Sequence, residues 1–205
     1  MENKHIYQDW LTLSQITDNA MTMACFIDVE KQYTQANRHY HTLAHVSNLL
    51  HQIKESRCSN KEKQLLTHVA LFHDVIYVST AKDNEYQSAQ CAVIWLEKLG
   101  INKADQQKIH QLILATATHT SDDLLTQTFI DMDVSILGAS QHVYKHYCNA
   151  IRKEYKNIPS LLYKRGRKRF LQATLKRTHI FLTKEYQIRY ERQARMNILE
   201  ELNSL

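Results

Sequence analysis

The stretch SNKEKQLLTHVALFHDVIY, residues 59–77, is typical of a helix that ends in an adjacent histidine and aspartate. Ser59 followed three residues later by Glu62 is a capping-box pattern, which predicts the start of a helix. Apolar residues then recur at helical spacing as far as His73 and Asp74. These two polar residues stand in an otherwise apolar run, where burying an ionisable pair is unfavourable by several kcal/mol unless something compensates.

Helical signals of the same kind continue along the chain and predict an all-α protein. Three glycines and one proline in 205 residues are too few for the tight turns of a sheet protein. A hydrophobic content of 43% is enough to form a sizeable core. We therefore expect a single domain over 1–205, a bundle of about eight to nine helices with a basic helical part from about residue 160.

The predicted helix boundaries follow from apolar periodicity and from cap residues. Asp83 and Asn84 are expected to cap a helix that ends at Gly100. Asn102 with Asp105 is expected to start the next helix. The predicted helices cover part of 7–35, about 40–55, 59 to about 74, 84 to about 99, 102 to about 118, 121–137, 140 to about 155, about 161–181 and about 184–202.

The composition favours a cytoplasmic protein. The four cysteines are scattered without a C-x-x-C pair, which suits a reducing compartment. The chain shows neither the basic and apolar segments of an export signal nor an apolar run of the roughly 20 residues that cross a bilayer. We therefore expect no membrane partner. The net charge of +5 is concentrated in the last quarter, so either an anionic partner or a solvated basic face explains it.

Polar residues on apolar helix faces point to a buried site. Asp133 has only large apolar residues three and four positions away, so its carboxylate needs a cation, hydrogen bonds or a proton. The neighbours of Asp131 are more polar, which places it at the periphery or behind a ligand that it orients. His41 and His45 are four residues apart on one predicted helix, so both are expected to project from one side.

Several helices therefore direct imidazole and carboxylate groups toward one interior. Two neutral imidazoles and two carboxylates would satisfy a divalent cation and leave coordination positions for water and an anionic substrate oxygen. Any one of these residues alone is better explained as a structural histidine or a hydrogen-bonded buried aspartate. Their joint occurrence favours a metal site.

The order of His45, His73 with Asp74, and Asp133 resembles the H…HD…D arrangement of the HD superfamily of metal-dependent phosphohydrolases. A wider set of stretches is similar to a bacterial group of largely uncharacterised predicted HD phosphohydrolases, and it extends over nearly the whole chain. Those stretches are RHYHTLAH (38–45), LFHDVIY (71–77), DNEYQSA (83–89), FIDMDVSILG (129–138) and IRKEY (151–155). The resemblance implies an all-helical HD fold in which the metal is bound by His45, His73, Asp74 and Asp133.

The YHTLAH stretch also resembles the YHNxxHA element of cyclic-nucleotide phosphodiesterases. By that analogy His41 is a general acid and His45 a metal ligand. Thr42 replaces the asparagine of the element, so specificity for cyclic nucleotides is not transferred. Glu85, in the first turn of its predicted helix, is retained as a group that orients water, although its position there is also electrostatically natural.

Further candidates are basic or histidine residues that would recognise phosphate. His119 would contact substrate phosphate or ligate a second metal, and an exposed loop histidine is the equal alternative. Guanidinium groups bind phosphate through two hydrogen bonds. The other candidates for phosphate binding are Arg38, Arg152, Lys153 and Arg167.

The sequence thus predicts an enzyme that hydrolyses a phosphate ester or anhydride of a small metabolite or nucleotide. Manganese, iron, magnesium, nickel or zinc would serve, with one ion expected and a second left open. Two alternatives remain: a metal- and nucleotide-binding regulatory protein without turnover, and a nucleic-acid-binding protein that uses the basic C-terminal segment. The sequence leaves open whether the chain forms a homo-oligomer.

Overall fold

The protein is described here by a computed structural model that covers residues 3–205, and this range consists of helices and their connections without a strand. The prediction of an all-α fold is confirmed. The α-helices are α1 (Lys4–Ser14), α2 (Ala20–Tyr33), α3 (Leu43–Glu55), α4 (Asn60–Phe72), α5 (Asn84–Lys98), α6 (Lys103–Thr116), α7 (Leu124–Val134), α8 (Gln141–Glu154), α9 (Ser160–Lys176) and α10 (Lys184–Ser204). A 3₁₀ helix, Ser135–Gly138, follows α7.

The structure has one α-helix more than the upper expected number, because 7–35 contains part of α1 and the whole of α2. Gln15 follows α1 in the left-handed conformation with a φ of 56°. Asn19 then starts α2, since its side chain accepts hydrogen bonds from the backbone amides of Met21 and Thr22. The chain therefore changes direction between α1 and α2 without a glycine or a proline.

Several predicted caps are confirmed and one is wrong. Ser59 and Glu62 form the expected capping box at the start of α4, and Gly100 follows α5 with a φ of +73°. The Asn102 side chain accepts a hydrogen bond from the amide of Asp105. Asp83 stands at the start of α5 but makes no side-chain cap bond. Its carboxylate instead accepts a hydrogen bond from the side chain of Gln87, one turn along.

The chain forms two compact units, and the first ends at Ser121. In this unit α4 is the central helix and packs against α1, α3, α5 and α6. Every residue from Leu65 to Phe72 is buried, so α4 has no solvent-exposed face in its second half. A helix that is buried all round is stable only when neighbours surround it. His73 and Asp74 follow directly after this buried half of α4.

The second unit runs from Asp122 to Leu205, and its 3₁₀ helix packs against α7, α8 and α10. Asn197 on α10 donates hydrogen bonds of 2.8 Å to the carbonyls of Leu137 and Ala139. Gly138 lies directly against α10, because a Cβ atom there would stand 2.6 Å from the Cβ of Tyr190. The organisation of 1–205 as a single domain stays a prediction.

Two further findings concern the whole described range. The four cysteines are free, and Cys25 is buried. No helix among residues 3–205 combines the length and the apolar character that spanning a bilayer requires.

Candidate metal centre

Three side chains of the first unit converge at the end of α4. The Nε2 atoms of His45 and His73 are 3.2 Å apart, and Nε2 of His73 is 3.1 Å from Oδ2 of Asp74. Each of the three residues offers one ligand atom within 4.8 Å of the other two. His45 is 6% exposed, His73 is 1% exposed and the Asp74 side chain is 16% exposed. The cluster is therefore largely buried but reachable from solvent at its carboxylate.

The order of the elements explains this convergence. His45 lies in the first turn of α3, which begins after Thr42, and α3 packs against α4. His73 terminates α4 and Asp74 follows it, so both side chains leave the end of the central helix together. The two ligand segments are far apart in sequence, but helix packing brings them together inside one unit.

Backbone contact fixes the orientation of the His73 ring. Its Nδ1 atom is 3.1 Å from the carbonyl oxygen of Ala70. A carbonyl oxygen only accepts hydrogen bonds, so Nδ1 carries the proton and the lone pair of the neutral ring is on Nε2. This lone pair faces Nε2 of His45 and the Asp74 carboxylate. A backbone carbonyl behind a histidine is the arrangement that orients metal-ligating imidazoles.

The donor set fits a divalent ion. With metal–ligand bonds of about 2.1 Å, neighbouring ligand atoms are about 3.0 Å apart in octahedral and about 3.4 Å apart in tetrahedral geometry. The separations of 3.2 Å and 3.1 Å between the donor atoms fall between these values. A cation between the three groups also explains how His73 and Asp74 are held together in an apolar setting. Imidazole and carboxylate donors are compatible with several first-row metals.

The loop after α4 is held in place by side chains that the sequence reasoning did not single out for this purpose. Ser88 on α5 accepts a hydrogen bond from the amide of Ile76 at 3.0 Å and donates one to its carbonyl at 3.1 Å. Asn84 forms the same kind of pair with the amide and carbonyl of Val78, both at 2.9 Å. Asn84 and Ser88 belong to DNEYQSA (83–89). The sequence alone did not indicate that this stretch forms hydrogen bonds with the loop that follows His73 and Asp74.

Arg38 supports the same loop from the other side. Its guanidinium donates hydrogen bonds to the carbonyls of Asp74 at 2.6 Å and Val75 at 2.8 Å, and also to the carbonyl of His41. The group lies 4.9 Å from the centre of the Tyr33 ring, and the residue is only 5% exposed. Both terminal nitrogens of the guanidinium thus have backbone carbonyls as partners. Its predicted role in phosphate binding has no support here and stays a prediction.

His41 lies before α3 and not on it, so the argument from helical spacing is wrong for this residue. Its ring nevertheless comes to the site, with Nε2 at 4.0 Å from Oδ2 of Asp74. The ring stacks on Tyr77, with centroids 4.2 Å apart and an interplanar angle of 30°. It also meets the edge of Tyr40 at 5.0 Å. Aromatic packing therefore positions His41 beside the cluster, with a side chain that is 19% exposed.

The environments of Asp131 and Asp133 differ from the sequence interpretation. Asp131 is fully buried, whereas Asp133 is half-buried. The Asp131 carboxylate accepts hydrogen bonds of 2.7 Å from the amides of Leu182 and Thr183 and from the Thr183 hydroxyl. Burial raises the pKa of Asp131 above its ordinary value, although these hydrogen bonds oppose the shift. Asp131 is thus a buried structural carboxylate that anchors the segment before α10.

Asp133 belongs to α7 in the second unit, and its assignment as a fourth metal ligand stays a prediction. Glu85 lies half-buried in the first turn of α5, where a carboxylate interacts favourably with the helix dipole. His119 follows α6 in the left-handed conformation with a φ of 53°, and its amide donates to the carbonyl of Ala115. The catalytic or phosphate-binding roles of Glu85 and His119 are likewise predictions.

The basic candidates of the second unit make structural contacts. Arg152 donates hydrogen bonds to the carbonyls of Tyr155 and Ile158, just beyond α8. Arg167, 8% exposed, forms a salt bridge of 2.8 Å with Glu201. Lys153 is exposed at the end of α8. The sequence could not show the structural role of Arg167, because its partner Glu201 lies 34 residues later.

The pKa of Glu201 reflects its pairing with Arg167. Burial acts to raise the pKa, but the hydrogen bonds and the positive charge of Arg167 outweigh burial, so the pKa lies below its ordinary value. The hydroxyl of Tyr147 accepts a further hydrogen bond of 3.2 Å from the same guanidinium. The burial of Arg167 is therefore compensated inside the second unit.

Comparison of the chain with protein-family models, with curated proteins and with solved structures finds no match in any of the three.

Proposed function

We propose that the protein is a metal-dependent phosphohydrolase of the HD type that acts on a phosphate ester or anhydride of a small metabolite or nucleotide. The observation that carries this proposal is the convergence of His45, His73 and Asp74, whose ligand atoms lie within 4.8 Å of one another. The order of these residues is also that of the HD superfamily, which the sequence resembles.

His45, His73 and Asp74 would hold the ion. Manganese, iron, nickel and zinc are compatible with imidazole and carboxylate donors, whereas magnesium, which the sequence also admitted, prefers oxygen ligands. A divalent cation supplies Lewis acidity there, since it lowers the pKa of water and attracts the oxygens of a phosphoryl group. The protein's own contribution begins with orientation. The carbonyl of Ala70 and the guanidinium of Arg38 fix His73 and the backbone of Asp74, so the donors need not rearrange.

His41 is the group that we assign to proton transfer. Its Nε2 lies 4.0 Å from the Asp74 carboxylate, and Tyr77 fixes the plane of its ring. A substrate phosphate next to Asp74 would place its leaving oxygen within reach of this nitrogen, which would donate the proton. Positioned general acids contribute about 10²- to 10⁴-fold to rates. His41→Ala should therefore lower turnover by that factor and leave the bound metal in place.

The test is metal analysis of freshly purified protein, followed by phosphatase and phosphodiesterase assays in the metal that is found. Near-stoichiometric metal and phosphate release are expected, and His73→Ala and Asp74→Ala should lose both. His51→Ala is the matched control, because His51 is an exposed histidine on the same helix as His45. Stoichiometric metal without turnover across a broad substrate panel would instead indicate the regulatory protein.

The same metal analysis tests the predicted fourth ligand. Asp133→Ala should lower the metal content if Asp133 takes part in binding. A metal content equal to that of the wild type would remove Asp133 from the ligand set and leave the three residues of the first unit as the protein's contribution.

A second candidate function, nucleic-acid binding, is supported by α9. This helix contains no acidic residue, and five of its basic side chains are exposed, four of them within two turns: Lys164, Arg165, Lys168 and Arg169. Changing these four to glutamine should abolish binding that weakens steeply with salt. Arg167 is left unchanged, since its salt bridge with Glu201 is structural. The control removes equal charge from the first unit through Lys4, Lys31, Lys54 and Lys82.

A further inference from the structure

Two exposed histidines on α8 are placed as a chelating pair. His142 and His146 are four residues apart, so they project from the same face of the helix. Their Nε2 atoms are 3.1 Å apart, and their ring centroids are 4.4 Å apart at an interplanar angle of 78°. This nitrogen–nitrogen separation is close to the 3.2 Å between His45 and His73. Both rings thus direct the same ring nitrogen to one point above the helix.

Two ring nitrogens at this distance must share either a proton or a cation, because their lone pairs would otherwise repel each other. A hydrogen bond is one solution, with one neutral ring donating its proton to the other. Water competes for such a bond at an exposed position, and it is therefore only weakly favourable. An ion bound by both lone pairs is the other solution, and bonds of about 2.1 Å fit the observed separation. Chelation needs no movement of α8, because both rings already have the required orientation.

The charges around the pair are compatible with a cation. Lys145, between the two histidines in sequence, forms a salt bridge of 3.2 Å with Glu200 on α10. Gln141 also donates a hydrogen bond to Glu200. The Glu200 carboxylate therefore balances the positive charge of Lys145, which precedes His146 on α8. These contacts all lie within the second unit.

We propose that His142 and His146 form a surface site for a borderline divalent transition-metal ion such as Cu²⁺, Ni²⁺ or Zn²⁺. Two imidazoles bind these ions, whereas Mg²⁺ and Ca²⁺ require oxygen ligands and are excluded. The Irving–Williams order makes Cu²⁺ the tightest-bound of the three. The remaining coordination positions are filled by water. The site is independent of the cluster formed by His45, His73 and Asp74, and it does not rest on the proposed hydrolytic activity.

Calorimetric titration of the 205-residue protein, as purified, with Ni²⁺ tests the proposal. The wild type should take up one additional Ni²⁺ per chain, and millimolar Mg²⁺ should not displace it. His142→Ala and His146→Ala should each weaken this step at least about tenfold, because a chelate becomes a single contact. His179→Ala is the control, since His179 is an exposed single histidine of the same unit, and it should bind like the wild type.

Electron paramagnetic resonance with Cu²⁺ provides a second measurement. The wild type should show two equivalent imidazole nitrogens, and each single variant should lose that pattern. Both altered side chains are exposed, so the variants should keep the helical circular dichroism of the wild type. Equal Ni²⁺ affinity in the wild type and in both variants would overturn the proposal. The metal content and activity of the cluster at the end of α4 are measured separately, so the two proposals can fail independently.

Discussion

Arg38 donates a hydrogen bond of 2.6 Å to the backbone carbonyl of Asp74, which joins the segment before α3 to the end of α4. The same guanidinium contacts the carbonyls of Val75 and His41. One buried cation thus holds the backbone on both sides of the candidate metal centre. Arg38 thus helps to fix the backbone from which the Asp74 side chain extends, although it belongs to a different stretch of the sequence.

Removal of this guanidinium should lower the stability of the folded protein. Arg38→Ala removes the donor from three backbone carbonyls, of which that of Val75 is buried and those of His41 and Asp74 are partly buried. Hydrogen bonds to charged groups each contribute about 1.5–3 kcal/mol. We expect the free energy of unfolding to fall by about 3 kcal/mol or more, measured in urea. Arg57→Ala removes an exposed arginine that precedes α4, and should change stability by no more than about 0.5 kcal/mol. Equal effects of the two substitutions would contradict the supporting role of Arg38.

Metal removal should destabilise the protein through the cluster at the end of α4. An ion that binds the folded state at a concentration one hundred times its Kd adds about 2.7 kcal/mol to the free energy of unfolding. A chelator should therefore lower the melting temperature of the wild type. His73→Ala, which lacks a ligand, should melt at the same temperature with and without chelator. An unchanged wild-type melting temperature would argue against a bound ion.

His68 should make stability depend on pH. Burial lowers the pKa of this fully enclosed imidazole to about 4, from an ordinary value of 6.5. Below pH 6.5 the unfolded chain binds a proton that the folded protein refuses until about pH 4. The contribution of neutral His68 to the free energy of unfolding is thus complete above pH 6.5 and is lost as the pH falls from 6.5 to about 4, by up to about 3 kcal/mol.

The measurement is urea unfolding at several pH values, in chelator so that metal binding does not contribute. His68→Gln keeps an acceptor for the Trp10 indole, which contacts Nδ1 of His68 at 3.4 Å, but does not titrate in this range. Its stability should fall less than that of the wild type between pH 7 and pH 4. His51→Gln, which alters an exposed histidine, should retain the wild-type dependence.

Two glycines provide a test of packing in the second unit. Gly138→Ala would bring a Cβ to 2.6 Å from the Cβ of Tyr190 and 2.8 Å from its carbonyl oxygen, so we expect a loss of about 1–3 kcal/mol. Gly166 lies within α9 with open space around it. Gly166→Ala should raise the free energy of unfolding by about 0.5–1 kcal/mol. A stabilising Gly138→Ala would show that α10 does not approach the 3₁₀ helix this closely.

The fold could be predicted where its signals are local. The capping box at Ser59, the end of α5 before Gly100 and most helix boundaries depend on residues within a turn or two of each other. The break between α1 and α2 was missed, because Gln15 takes the left-handed conformation that glycine usually provides. The start of α3 was placed too early, which put His41 on a helix that it precedes.

The site could also be predicted only where its signals are local. An adjacent His73 and Asp74 in an apolar run indicated compensation, and His45 supplies the third group. The sequence predicted that Asp133 is more buried than Asp131, and the structure shows the reverse. The prediction used only neighbours on their own helix. The hydrogen bonds that bury Asp131 come from a segment about fifty residues later, which helical periodicity cannot show.

The hydrogen bond between His73 and the carbonyl of Ala70 has a consequence for affinity. A freely rotating imidazole loses conformational entropy when it captures an ion, typically about 0.5–1.5 kcal/mol for an immobilised side chain. The ring of His73 has already lost that freedom when α4 folds. An ion at this position would therefore meet a preorganised donor, and the folded chain would need less intrinsic bond strength to hold it.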